Sequence, residues 1–144
     1  MKGIAFFLMA ALVALFSFCT EKKADDASCA IDDPNPNKSS ELAVLMRQMA
    51  TQAEQLKKEV AAGHISSSFP EAFRKIHTAV PTDSTIKGDA FDGYATGYLQ
   101  NLEAVFASGD DLTGRYNDVI NTCISCHETS CPGPLVRINK MLLK

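Results

Sequence analysis

The chain contains two cysteines and a histidine in one short run that could do chemistry, Cys123-Ile124-Ser125-Cys126-His127. Residues at positions i, i+3 and i+4 of an α-helix share one face, so both thiols and the imidazole would point the same way. Two thiols at this spacing can add to the two vinyl groups on one edge of a porphyrin, while the adjacent imidazole reaches the iron. The spacing therefore predicts covalent attachment of haem c at this motif.

Three other interpretations of the same residues are a chance cysteine pair, a redox-active CxxC site and half of a zinc site. A thioredoxin-like redox motif needs a βαβ context, and no segment of the sequence alternates like a strand. A zinc site would need a second pair of ligands, and Cys29 and Cys131 do not stand at a useful spacing. Haem attachment remains the interpretation that the sequence favours.

The N-terminus has the pattern of a secretory signal. Lys2 precedes an apolar run over residues 4–18, and polar sequence begins abruptly at Cys19. The run is shorter than the ~20 residues that a membrane-spanning helix needs. We therefore predict a signal peptide over residues 1–18 and an exported protein that works in the periplasm.

Cys19 stands where a bacterial lipoprotein carries its lipid-modified cysteine, which predicts a lipid anchor in the membrane. Phe18 departs from that pattern, because a small residue is usual just before the cysteine. Cleavage after Cys19 and an uncleaved N-terminal anchor are the alternatives. Residues 19–38 are polar and contain two prolines, which indicates a tether that leads into a folded domain over residues 39–144.

Composition limits the classes of partner. The 144 residues are 46% apolar and 22% charged, which suits a domain with a buried core. The formal net charge of −3 argues against nucleic acid, because a nucleic-acid partner requires a basic surface. The sequence also lacks a nucleophile–base set, paired carboxylates and a glycine-rich phosphate loop, so we do not expect an enzyme.

Four segments carry apolar residues at helical spacing, and the last of them contains the CxxCH motif. They span about residues 40–62, 69–80, 88–107 and 110–131. In the second segment, Phe69, Phe73, Ile76 and Val80 fall on one side. Because each apolar stripe is too narrow to be stable alone, we predict an all-α domain, an up-and-down four-helix bundle with covalently bound haem.

A signal, four helical stripes and a CxxCH motif near the C-terminus resemble the cytochrome c prime superfamily. The resemblance covers about residues 40–131, and its only strict motif is the one at residues 123–127. It implies a single haem, with Cys123 and Cys126 as thioether anchors and His127 as the proximal iron ligand. The segment from Glu128 to Pro134 departs from the family, which usually continues this helix with an aromatic or basic residue.

The sequence does not determine which residue is the sixth iron ligand. Six-coordinate members of the family take a methionine from the first helix, and Met46 lies close to that position; Met49 is a second candidate on the same stripe. His77 is a third candidate, on the apolar side of the second segment. In an antiparallel bundle the start of the first helix approaches the end of the last, where His127 stands. An empty sixth position is the remaining alternative.

These choices predict different functions. Imidazole and thioether ligation together suit a cytochrome that exchanges electrons with redox partner proteins. An open position suits a sensor or carrier of a small gas such as NO or CO. A third hypothesis, from another class, is a haem-free structural lipoprotein. The sequence does not determine whether the protein forms a homodimer.

Two further cysteines lie outside the motif. Cys29 precedes the first helical segment and Cys131 follows His127 by one turn, so an antiparallel arrangement brings both to one end of the bundle. A Cys29–Cys131 disulfide is chemically permitted outside the cytoplasm. Two unpaired thiols, or exchange with a partner, are the alternatives.

Overall fold

A computed structural model describes residues 38–107 and 109–144, and all of their regular secondary structure is helical. The prediction of an all-α domain is confirmed for this part of the chain. The predicted signal peptide and nearly all of the predicted tether lie outside the described residues.

Three long α-helices are joined by shorter helical pieces. In chain order they are α1 Glu41–Ala61, two 3₁₀ helices at Glu71–His77 and Ser84–Ile86, α2 Asp89–Phe106, α3 Leu112–Ser130 and a short α4 Leu135–Asn139. Helix α3 packs against α1, α2 and α4, while the Glu71–His77 segment packs against α1 and α2. None of the described helices is long and apolar enough to cross a membrane.

Ser40 caps the N-terminus of helix α1. The Ser40 hydroxyl accepts a hydrogen bond from the amide of Ala43 at 3.2 Å, which satisfies one of the free N–H groups of the first turn. Its apolar stripe is buried in the core, through Leu42, Leu45, Met49, Leu56 and Val60.

The second predicted segment is a 3₁₀ helix, and this changes which of its residues are buried. A 3₁₀ helix has three residues per turn, so side chains three positions apart line up. Phe73, Ile76 and Ala79 are buried, whereas Val80 is 59% exposed. The assignment of Val80 to the apolar face was wrong, because it assumed an α-helix through residue 80, whereas the 3₁₀ helix ends at His77 and Val80 lies beyond it.

A buried tyrosine joins three elements of the fold. Tyr116, in α3, is fully buried, and its hydroxyl lies 3.1 Å from the carbonyl oxygen of Ala53 in α1. The same hydroxyl lies 3.0 Å from the carbonyl oxygen of Met141, just after α4. Its single O–H is shared between two carbonyls, and it fixes α1 and the C-terminal segment against α3.

Glu59 organises the turn that follows α1. One carboxylate oxygen accepts hydrogen bonds from the amides of Ser66 and Ser67 at 2.9 and 3.2 Å, and from the Ser67 hydroxyl at 3.0 Å. These donors, together with the side chain of Gln55, lower the pKa of Glu59 from 4.5 to about 2. The carboxylate must therefore stay ionised for the turn to keep its hydrogen bonds.

Replacing Tyr116 with Phe should destabilise the protein by about 1–3 kcal/mol, because the change removes the hydrogen bonds that a buried hydroxyl makes to two carbonyl oxygens. The free energy of unfolding, measured with urea, checks this. Tyr94→Phe is the matched control, since Tyr94 is only half-buried in α2 and has no hydrogen bond to another described residue. Equal effects of the two substitutions would contradict the role given to Tyr116.

Glu59→Gln should make stability less sensitive to acid. A carboxyl whose folded pKa is depressed adds stability above its unfolded pKa, here 4.5, and loses it as the pH falls through about 2. Urea unfolding from neutral pH to pH 2 should therefore show the two proteins converging below pH 4.5. Stabilities of the wild type and of Glu59→Gln that fall in parallel as the pH is lowered would contradict this role of Glu59.

Candidate functional site

One large cavity lies among the helices. Its volume is about 580 Å³, within the range of about 300–1,000 Å³ that is usual for cofactor and small-molecule sites. Most of its wall is apolar, with side chains contributed by α1, α2, α3 and the segment around α4. The cavity therefore lies where α1, α2, α3 and the segment around α4 meet.

The three residues of the predicted motif meet at this cavity. Cys123, Cys126 and His127 all line it, as expected for positions i, i+3 and i+4 on one face of α3. All three side chains are partly buried. The helical spacing read from the sequence thus brings two sulfur atoms and one imidazole to a common wall.

The imidazole of His127 is held by a backbone group. Its Nδ1 lies 2.8 Å from the carbonyl oxygen of Cys131. A carbonyl can only accept a hydrogen bond, so Nδ1 carries the proton in this pair and Nε2 keeps its lone pair. A histidine in this tautomer is prepared to bind a metal through Nε2.

The end of α3 makes this contact available. Inside an α-helix the carbonyl of residue i+4 points towards the C-terminus and away from residue i. Pro132 lacks an amide hydrogen and disfavours the helical conformation of the residue before it, so α3 ends at Ser130. Cys131 has φ −158° and ψ 80°, and its carbonyl is free to meet the imidazole.

The first helix contributes both predicted methionines. Met46 and Met49 line the same cavity as His127, and Met49 is the more deeply buried of the two. This agrees with the expectation that the start of α1 lies near the end of α3. Met141 also lines the cavity and is 4% exposed. Sequence reasoning missed it, because the segment after α4 has too few residues to show a periodic stripe.

His77 lies elsewhere. It is exposed, its Nδ1 is 3.3 Å from a carboxylate oxygen of Asp92, and it does not line the cavity. The structure does not bring it together with the other candidate ligands. The 3₁₀ geometry explains the difference, since it turns His77 outward beside the buried Ile76.

The remaining predicted cysteines are only partly described. Cys131 is an exposed, free thiol at the rim of the cavity. Cys29, its predicted disulfide partner, lies outside the described residues, as does the predicted lipidation site Cys19. The disulfide and the lipid anchor stay predictions.

The two motif thiols are in apolar surroundings. Burial raises the pKa of the Cys123 thiol to about 12, and the neighbouring Cys126 adds to the effect. Burial also raises the pKa of Cys126, against a hydrogen bond from Ser130 that lowers it. Both sulfurs therefore remain uncharged, unlike the redox-active cysteines of a CxxC site, whose pKa values are depressed.

A few polar groups interrupt the apolar wall. Ser40, Thr82, Asp83 and the two arginines Arg47 and Arg137 reach its edge. Arg137 donates to a carboxylate oxygen of Glu54 at 2.9 Å, and this ion pair joins α4 to α1 beside the cavity. Tyr98, in α2, lines the cavity and is 5% exposed.

The residues of this cavity fit a c-type haem. Two uncharged thiols stand at the spacing that the vinyl groups require, and one imidazole has its Nε2 lone pair free. Methionine thioethers and apolar side chains form much of the remaining wall, which suits a flat hydrophobic macrocycle. The polar rim suits carboxylate groups.

Comparison with protein family models, curated proteins and solved structures gives no significant match for this chain. Its function is therefore inferred from the residues of the site.

Proposed function

We propose that this protein is an exported monohaem cytochrome of helical-bundle form that carries electrons. Its haem c would be attached at Cys123 and Cys126, with His127 as the proximal iron ligand. The observation that carries the proposal is the meeting of these three residues with methionines of α1 at one apolar cavity. A haem bound there supplies a one-electron iron couple.

The residues of the chain have separate tasks in this proposal. Cys123 and Cys126 hold the macrocycle as thioethers, which carry no charge and so suit buried positions. His127 binds through Nε2, while its Nδ1–H donates to the carbonyl of Cys131 at 2.8 Å. That hydrogen bond keeps the ring oriented and increases the electron density that the imidazole offers.

Met46 is the proposed sixth ligand. It stands in the second turn of α1, on the wall that faces the motif, and its thioether sulfur is a soft ligand of the kind that raises a haem potential. Met49 and Met141 are the alternatives on the same wall. With both His127 and a methionine as ligands, the iron would offer no free position to NO or CO, which favours electron transfer over gas binding.

The proposed location and partners are based on the sequence and not on the geometry of the cavity. We propose a periplasmic location, with a lipid anchor at Cys19, and a redox protein as partner. The acidic net charge of −3 disfavours nucleic acid. No catalytic role is proposed.

The first test is covalent haem attachment. The chain should acquire a haem that stays with the polypeptide after denaturation, when it is expressed in a host that matures c-type cytochromes. Cys123→Ala/Cys126→Ala should lose that covalent haem, because both thioether bonds are gone. Haem staining on a denaturing gel and the Soret absorbance give the result.

Cys131→Ser is the matched control, since Cys131 lines the same cavity but stands outside the motif. It should keep the covalent haem. A wild-type chain without a Soret band would overturn the proposed function and leave the haem-free structural lipoprotein in its place.

The second test identifies the sixth ligand. Met46→Ala should convert a low-spin spectrum, with sharp α and β bands after reduction, into a high-spin one that responds to carbon monoxide. The change removes the thioether and opens the iron to a small ligand. Met49→Ala and Met141→Ala, which alter the same wall, should leave the low-spin spectrum intact.

A low-spin spectrum that survives Met46→Ala would show that another residue binds the iron. A wild-type spectrum that is high-spin, and that changes when carbon monoxide is added, would favour gas binding over electron transfer.

A further inference from the structure

Arg137 places a positive charge at one end of the cavity. It belongs to α4 and lines the cavity, and its Nε donates to Oε1 of Glu54 at 2.9 Å. The α1 residues that line the cavity run from Ser40 to Ala53, so Glu54 stands where the α1 wall ends. The ion pair therefore marks the end of the cavity that is distant from the start of α1.

This end is also distant from the CxxCH motif. Ala53, the neighbour of Glu54, accepts a hydrogen bond from the hydroxyl of Tyr116. Tyr116 precedes Cys123 by seven residues, which correspond to about two turns, or ~10 Å, of α3. The thiols of the motif and the guanidinium of Arg137 therefore lie towards opposite ends of one apolar wall.

The polar groups at the start of α1 do not suit an anion. The Thr82 hydroxyl donates to the hydroxyl of Ser40 at 3.0 Å, and both residues line the cavity. Asp83 follows Thr82 and also lines the cavity, and its carboxylate would repel another carboxylate. A second cation, Arg47, lines the wall between the two ends. A negatively charged group is therefore favoured away from the start of α1, towards Arg137.

The contact with Glu54 uses only one donor atom of Arg137, its Nε. The two terminal nitrogens of a guanidinium carry further N–H donors, and their geometry matches that of a carboxylate. Ion pairs between exposed side chains add little to stability, and both of these side chains are about half exposed. The pair is better explained by its effect on the arginine, because Glu54 fixes the direction of the guanidinium.

We propose that Arg137 is a further binding residue of this site, which pairs with a carboxylate of the bound haem, and that Glu54 is the positioning residue that holds it. This rests on the proposed function, because it takes haem as the occupant. Haem carries its vinyl groups and its carboxylates on opposite sides of the macrocycle. Attachment of the vinyl side at Cys123 and Cys126 therefore directs the carboxylates towards the end of the cavity where Arg137 lies.

The test measures the midpoint potential of the haem-loaded protein. Arg137→Gln should lower the potential, because a positive charge beside the haem favours the reduced, less positive iron. Arg137→Lys should retain part of the wild-type potential, since it keeps the charge. Lys140→Gln is the matched control, because it removes an exposed cation of the same segment that does not line the cavity. It should change the potential much less than Arg137→Gln does.

Glu54→Gln separates carboxylate binding from a purely structural effect. It breaks the same ion pair but keeps the Arg137 cation, so it should not lower the potential. A fall of equal size in Glu54→Gln and Arg137→Gln would show that loosening of α4 from α1 is the cause, and the inference would be wrong. An unchanged potential in Arg137→Gln, or a fall only in Arg47→Gln, would also contradict the inference while the proposed function stands.

Infrared difference spectra between the oxidised and reduced protein, with the haem labelled at its carboxylate carbons, observe the proposed partner directly. Arg137→Gln should shift the labelled carboxylate bands, and Lys140→Gln should leave them in place. Bands that do not respond to Arg137→Gln would overturn the inference. A wild type without a Soret band would instead identify failure of the proposed function, and the inference would fall with it.

Discussion

The end of helix α3 is the constraint on which the site depends. Pro132 cannot donate an amide hydrogen bond and restricts the residue before it, so the helix stops one turn after His127. The free carbonyl of Cys131 then turns to the imidazole, at 2.8 Å from Nδ1. A helix that continued through this point would aim the same carbonyl along its axis, and the imidazole would lose its partner.

The same break shapes the cavity. The chain reverses through Pro132, Gly133 and Pro134 and enters α4, whose far end brings Ile138 and Met141 back to the cavity wall. Tyr116 holds that return in place through the carbonyl of Met141, and it holds α1 through the carbonyl of Ala53. The Tyr116 hydroxyl is buried and needs hydrogen-bond partners, so these contacts define the position of the segments more strictly than apolar packing alone could.

The polarity of the wall is matched to uncharged sulfur. A buried thiolate would be unstable beside so much apolar surface, and the pKa of about 12 at Cys123 expresses that cost. A thioether at the same position would meet no such penalty. Most of the cavity wall is apolar, and polar side chains, among them Arg47 and Arg137, lie at its edge. That division suits an amphipathic cofactor.

Much of the fold and of the site could be predicted from local spacing. The stripes of α1, α2 and α3, the Ser40 cap and the shared face of Cys123, Cys126 and His127 all follow from the geometry of a helix, which depends on neighbours a few positions apart. The helix type of the second segment did not follow from spacing. The apolar residues of this segment recur at the α-helical spacing, whereas in the structure Glu71–His77 is a 3₁₀ helix that packs against α1 and α2.

Other features exist only after the chain has folded. The place of Met141 on the cavity wall and the hydrogen bonds of Tyr116 leave no periodic trace in the sequence, because they join segments that are distant along the chain. The sequence by itself determined which residues could attach a haem, since that chemistry needs only a fixed spacing on one helix. The tertiary structure decided what surrounds them, because a cavity and its hydrogen-bond partners are made where separate helices meet.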